Sequence, residues 1–120
     1  DTGAFSGRVR VAVPRMGIGE QSATTLALVI HELATNSLKY GALSSESGIL
    51  DISGTSTDEE VHMVWTERGG PSVSSKGEEG YGSKLLNRSI TGQLGGSIAT
   101  DWSDDGIIVT VTMNAEKLAQ

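Results

Sequence analysis

"VIHELATNSLKYGAL", residues 29 to 43, sets His31, Glu32, Asn36 and Lys39 into a stretch whose other positions follow an apolar helix face. A polar group carried into a core without a partner costs about 1–3 kcal/mol by mutational measures, and several on apolar transfer scales. The face carrying these groups is therefore either wet or built around a ligand. Ala23, Leu26, Ala27, Ile30, Leu33, Ala34 and Leu38 recur at three- and four-residue steps. This predicts a helix from Ser22 to Tyr40, with Ser22 as its N-cap and Gly41 as its stop. On that helix Glu32, Asn36 and Lys39 stand at i, i+4 and i+7, one polar stripe beside the apolar one.

Outward from this helix the chain alternates. Upstream, Val9, Val11 and Val13 fall on one side and Arg8 and Arg10 on the other, a half-buried strand closed by Pro14. Downstream, "GILDISGTS" (48–56) and "EEVHMVWTE" (59–67) read as two strands joined by a polar turn, with Val61, Met63 and Trp65 facing one way. Trp65 is expected in the core. The stretch 68–82 is rich in Gly and Ser without periodicity, and 71–80 is expected to be mobile without a ligand. Leu85, Leu86, Ile90 and Leu94 then return to helical spacing, ending at Gly95-Gly96. "SIATDW" and "IIVTVTM" flank "SDDG", a hairpin signal. The order β-α-β-β-loop-α-β-β predicts an α+β fold: a two-layer sandwich with helices on one face of a mixed, mostly antiparallel sheet. Arg8, Arg10, His62, Thr110 and Thr112 mark the other, more polar face.

Composition narrows the functions available. A length of 120 residues is one domain. No cysteine is present, which excludes a disulfide framework, a thiolate metal site and a cysteine nucleophile. The formal charge is −6 and the nine Lys and Arg are scattered, so no basic stripe exists to track nucleic acid. No run approaches the roughly 18 apolar residues of a membrane span, and no signal peptide is visible. The expectation is a cytoplasmic domain without membrane contact. It opens on Asp1 in mid-stride before a strand, as expected of a domain excised from a longer protein.

Three familiar patterns fail. "HELAT" lacks the second histidine of a zinc-protease helix, because Thr35 stands in its place. "GEEGYGSK" puts Ser83-Lys84 after Gly82 where a phosphate-binding Walker loop needs Lys before Ser or Thr. "GYGSKL" lacks the third glycine of a dinucleotide fingerprint. Three other features carry chemistry. The Asn36 amide oxygen is a neutral hard ligand suited to Mg²⁺, while Glu32 can polarise a nucleophile and Lys39 can meet a phosphate. Glu67 stands at a strand end before Gly69-Gly70, where a carboxylate can accept from an exocyclic amino group and backbone can approach a flat ligand. Gly80 and Gly82 lead into a helix start near Ser83, where free N–H groups and the helix dipole favour phosphate. Taken singly, each also fits a bland reading: a solvated helix face, a charged strand end, an ordinary helix start.

In this order, however, "HELATNSLKYGAL", "WTERGGP" and "GYGSKLLNRSITGQLGG" closely resemble the Bergerat (GHKL) ATP-binding fold, and within it the catalytic domain of HWE-type sensor histidine kinases. The likeness runs from about Ser22 to Gly106. It implies ATP bound between the helical layer and the sheet. Asn36 would hold Mg²⁺, and Lys39 and Tyr40 would approach the phosphates. Glu67 would meet the adenine amino group with Gly69 and Gly70 lining the base. Gly80, Gly82 and Ser83 would seat the phosphates. Glu32, with His31 beside it, would orient or deprotonate the accepting imidazole. The segment between Gly70 and Gly80 is too short for the extra helix and long lid of ordinary histidine kinases, although short lids suit the HWE group. His31 and His62 are the two histidines, and neither reads as the phosphate acceptor. The implied partners are therefore ATP, a histidine-bearing dimerisation domain and, through it, a response regulator. The competing expectations are a degenerate nucleotide-binding scaffold and a serine kinase of the anti-sigma-factor type.

Overall fold

The computed structural model describes residues 9–12, 17–39, 41–70, 88–102 and 106–120. In sequence order they form β1 (Val9–Ala12), α1 (Glu20–Lys39), a 3₁₀ turn (Ala42–Ser44), β2 (Ile49–Ser56) and β3 (Glu60–Arg68). A wide π-helical turn (Ser89–Gln93), β4 (Ser97–Trp102), β5 (Gly106–Asn114) and a short α2 (Ala115–Leu118) complete the order. The expectations for Arg8, Val13, Pro14, the 71–80 loop, Leu85 and Leu86 lie outside the described residues.

Strand alternation decides which way the sheet faces. Val61, Met63, Trp65 and Glu67 of β3 are buried, as are Ile107, Val109, Val111 and Met113 of β5. The residues between them are half-buried or exposed, among them His62, Thr110 and Thr112, as expected for the polar face. On that face Thr112 Oγ1 lies 3.3 Å from His62 Nδ1, and His62 Nε2 lies 3.2 Å from Glu60. The sheet runs β1-β2-β3-β5-β4. β1 and β2 are parallel and the other neighbours antiparallel, which makes the sheet mixed and mostly antiparallel as expected. A parallel pair needs a crossover, and here α1 supplies it, laying Val29 and Leu33 on the apolar face with no exposure. Ile90, Leu94 and Leu118 close the same core. Each such side chain fully buried contributes about 1.5–3 kcal/mol.

Three local expectations are corrected. α1 starts at Glu20, and Ser22 sits inside it with no exposure instead of capping it. The Ser22 hydroxyl donates to the Lys117 carbonyl at 2.7 Å. The N–H groups of Gly19 and Gln21 donate to the carbonyls of Leu118 (3.0 Å) and Gln120 (3.3 Å). The helix start is thus capped by the far end of the chain, which no local pattern announces. At the other end Gly41 has φ −108°, so α1 does not stop on a left-handed glycine, and Gly41 instead opens the 3₁₀ turn. Finally, Val11 lies on the same side of β1 as Val9, which packs against the core, yet Val11 is 64% exposed on this edge strand. Among the described residues, no helix is long and apolar enough to cross a membrane.

Candidate functional site

The end of α1 and the end of β3 meet, and Glu67 is where they meet. Pairing with β2 puts Leu50 opposite Glu67, on the apolar face. The carboxylate is 1% exposed, in a layer otherwise made of Leu, Val, Ile, Met and Trp. Two donors hold it. The Ala42 backbone N–H reaches Oε1 at 2.9 Å, and the Trp65 indole N–H reaches Oε2 at 2.6 Å. Side chains two apart on a strand share a face, so Trp65 lies beside Glu67 by strand geometry alone. Hydrogen bonds of N–H to an ionised carboxylate are shorter and about twice as strong as neutral ones.

The 41–48 loop is fastened to both elements. The Gly41 N–H donates to the Ser37 carbonyl (3.0 Å) and the Leu43 N–H to Ser37 Oγ (3.2 Å), which ties the loop to α1. Ser45 Oγ donates to the Gly69 carbonyl at 3.4 Å, which ties it to β3. Gly69 has φ +76°, a left-handed conformation that side chains disfavour. At Gly70 the reason for glycine is space: a Cβ there would lie 2.7 Å from Ala42 Cα and 2.9 Å from the Gly41 carbonyl carbon. Both glycines are thus required by the packing of this loop, whatever they meet in a ligand.

Along α1, the residues expected as one stripe are graded in exposure. Asn36 is 6% exposed and Glu32 is half-buried, while Lys39 and His31 are open to solvent. Asn36 occupies the same helical turn as the fully buried Ser37, and Ser37 anchors the loop that reaches Glu67. The structure therefore links the Asn36 end of α1 to Glu67, Gly69 and Gly70. His31 and Glu32 lie a turn or more further back. Tyr40, Gly80, Gly82 and Ser83 lie outside the described residues. Among the described residues, no group of three His, Cys, Asp or Glu is placed to hold a metal ion.

Alternation along β3 assigned Trp65 to the core, and it is in the core. What that reading missed is its bond to Glu67. The signal was present as Trp-x-Glu on one face of a strand. The backbone of Ala42 carried no signal.

Comparison with known proteins bears on what this arrangement is. The chain is 41% identical over 112 residues to blue-light-activated histidine kinase 1 of Erythrobacter litoralis, a match covering 91% of this chain and 31% of that protein. It is 34% identical over 111 residues to the blue-light-activated histidine kinase of Brucella anthropi, covering 89% of this chain and 23% of the relative. Among solved structures, the catalytic domain of histidine kinase ThkA superposes with a TM-score of 0.68 at 16% identity, covering 91% of this chain and 80% of that one. The fold is that of a histidine kinase catalytic domain. The histidine kinase domain of the Erythrobacter litoralis EL346 blue-light-activated kinase superposes more closely, with a TM-score of 0.76 at 16% identity over 93% of this chain and 53% of that one. No family model matches the chain. The likeness to HWE-type histidine kinase catalytic domains and the α+β sandwich are both borne out. The chain spans less than a third of the length of these curated relatives, 31% and 23%.

Proposed function

We propose that this histidine kinase catalytic domain binds ATP with Mg²⁺ and donates the γ-phosphoryl group to a histidine on a separate dimerisation domain, in two-component signalling. One observation carries the reading. A buried carboxylate, Glu67, is held by two N–H donors at the place where β3 meets the Asn36 end of α1, in a chain 41% identical to a histidine kinase.

In this reading Glu67 accepts from the adenine amino group, beside Gly69 and Gly70. The Asn36 amide oxygen holds Mg²⁺, which when bound offsets charge on the phosphate oxygens. Lys39 and Tyr40 approach the phosphates, and Gly80, Gly82 and Ser83 seat them. Lys39 is exposed, as a residue meeting a solvated polyanion should be. The protein's share of the reaction is positioning and charge neutralisation, because phosphoryl transfer leaves it little covalent work. The bond from γ-phosphorus to the β–γ bridging oxygen breaks, a bond from phosphorus to an imidazole nitrogen forms, and ADP leaves. Glu32, with His31 beside it, orients the accepting imidazole or takes the proton it releases. The phosphoryl group then passes to an aspartate on a response regulator. Attraction confined to the site lets a chain of net charge −6 bind a polyanion. The setting proposed is cytoplasmic.

The test is transfer in trans. The chain is incubated with a separately produced histidine-bearing dimerisation domain and ATP labelled at the γ-phosphate. Label should appear on that domain and be acid-labile, as a phosphoramidate is. Asn36→Ala should reduce it more than tenfold. Acid-stable label would indicate a serine kinase. Absence of label with every active partner domain tried would favour a signalling scaffold.

A further inference from the structure

We infer that the open edge of β1 is a docking site for an extended segment of a partner protein in which apolar and acidic residues alternate. The segment adds a strand to the sheet, with its apolar side chains in the groove between β1 and α1 and its carboxylates beside Arg10. Nucleotide binding plays no part in this inference.

β1 ends the sheet order β1-β2-β3-β5-β4, so its outer side offers a row of N–H and C=O groups to a further strand. Beside that edge lies an apolar groove of about 280 Å³, lined by Val11, Ile18, Leu26, Ile30, Ile52 and Met63 among others. Leu26 and Ile52 pack on the core, whereas Val11, Ile18 and Ile30 are exposed. Val11 is more exposed than any other large apolar residue among those described. Apolar residues scattered singly over a surface need no explanation, but three gathered around one groove mark a contact surface. On the opposite face of β1, Arg10 stands in register with Asp51 of β2, and both line a second, open concavity. Asp51 is held by Arg68 at 3.2 Å. Among the described residues no ion pair forms at Arg10, which leaves its charge to a partner.

A strand laid along β1 sits about 4.8 Å from it, and its successive side chains alternate between the two faces. Those on the α1 side fall beside Val11 and the groove, and those on the other side fall beside Arg10. Backbone bonds to a sheet edge supply affinity, and the alternate side chains supply selection. Charge complementarity therefore names the occupant: apolar residues for the groove, aspartate or glutamate for Arg10. The net charge of −6 repels an acidic segment from the remaining surface. A short edge strand with a cation also guards against aggregation, but a guard has no need of an apolar groove beside it.

The experiment adds a capped peptide of about six residues, alternating isoleucine and glutamate, to the 120-residue chain and follows its amide resonances. Shifts and slowed hydrogen exchange are expected at Val9–Ala12, with shifts at Ile18 and Ile30. Lysine in place of glutamate in the peptide should weaken binding about fivefold, and Arg10→Glu should reverse that preference. Val11→Thr keeps the β-branched shape, sets a hydroxyl against the apolar side chains and should weaken binding about tenfold. Both residues are exposed, so both variants should keep the wild-type urea midpoint. No change at β1, or changes confined to another surface, would overturn the inference. Equal binding of the two peptides would overturn it as well, by showing apolar adhesion alone. Concentration-dependent changes at β1 without peptide would give the edge to a second copy of the chain and overturn it too.

Discussion

Replacing Gly70 with alanine tests whether the loop after α1 is clamped to β3 as described. The added Cβ would lie 2.7 Å from Ala42 Cα, 2.8 Å from Ala42 N and 2.9 Å from the Gly41 carbonyl carbon. All three neighbours are backbone of buried residues, so no flexible side chain can swing aside. Carbon atoms rest at about 3.5 Å or more, so the two segments must separate by about 0.8 Å. Overpacking of this kind costs about 1–3 kcal/mol. The segment displaced is the one that carries the Ala42 N–H to Glu67 at 2.9 Å. Weakening a hydrogen bond to a charged group adds up to about 1.5–3 kcal/mol. Relaxation shares the two costs, and the expected loss is about 2–4 kcal/mol. Against roughly 0.05–0.15 kcal/mol of stability per residue, a domain of this length should still fold. The assay is urea denaturation, where the midpoint should fall by about 1–2 M without a change in slope. Gly92→Ala is the control, since a Cβ there meets nothing within 4 Å, and it should shift the midpoint little. A loss at Gly70→Ala below about 0.5 kcal/mol, within the range of an ordinary surface substitution, would refute the clamp.

Two further predictions concern the scaffold. Ser22→Ala removes the hydroxyl that donates to the Lys117 carbonyl at 2.7 Å; it should cost about 0.5–1.5 kcal/mol and speed amide exchange at the C-terminal residues, and unchanged exchange there would contradict the cap. Asp51→Ala breaks the pair with Arg68 at 3.2 Å, but Arg68 is 61% exposed; stability should change by less than about 1 kcal/mol, and a larger loss in a denaturation curve would mean the pair bears load.

The order of elements and the direction of the sheet were legible because alternation from Val61 to Glu67 and from Ile107 to Met113 leaves one interpretation of which face is buried. Residue spacing set Asn36 on a polar stripe beside an apolar helix face and Glu67 at a strand end, and the burial of both is what the structure adds. The start of α1 was not legible, because its N–H partners are the carbonyls of Leu118 and Gln120, nearly the whole chain away. Sequence suggested Ser22 as a cap for a sound local reason, and a tertiary contact overrode it. The same distance hid the bond from Ala42 to Glu67, which joins backbone to side chain 25 positions apart. Backbone donors leave no compositional trace. Gly69 and Gly70 were read as letting backbone approach a flat ligand, and the structure adds a local reason for each: a φ of +76° at Gly69 and the nearness of the Gly41–Ala42 backbone at Gly70.

The central claim is an ATP site at the junction of α1 and β3, and calorimetric titration of the domain with a non-hydrolysable ATP analogue tests it most directly. The titration is run with and without Mg²⁺, on wild type and on Asn36→Ala. The account predicts binding that tightens with Mg²⁺, and a variant that loses most of that gain while remaining folded. A folded wild type that takes up no nucleotide under either condition would contradict it.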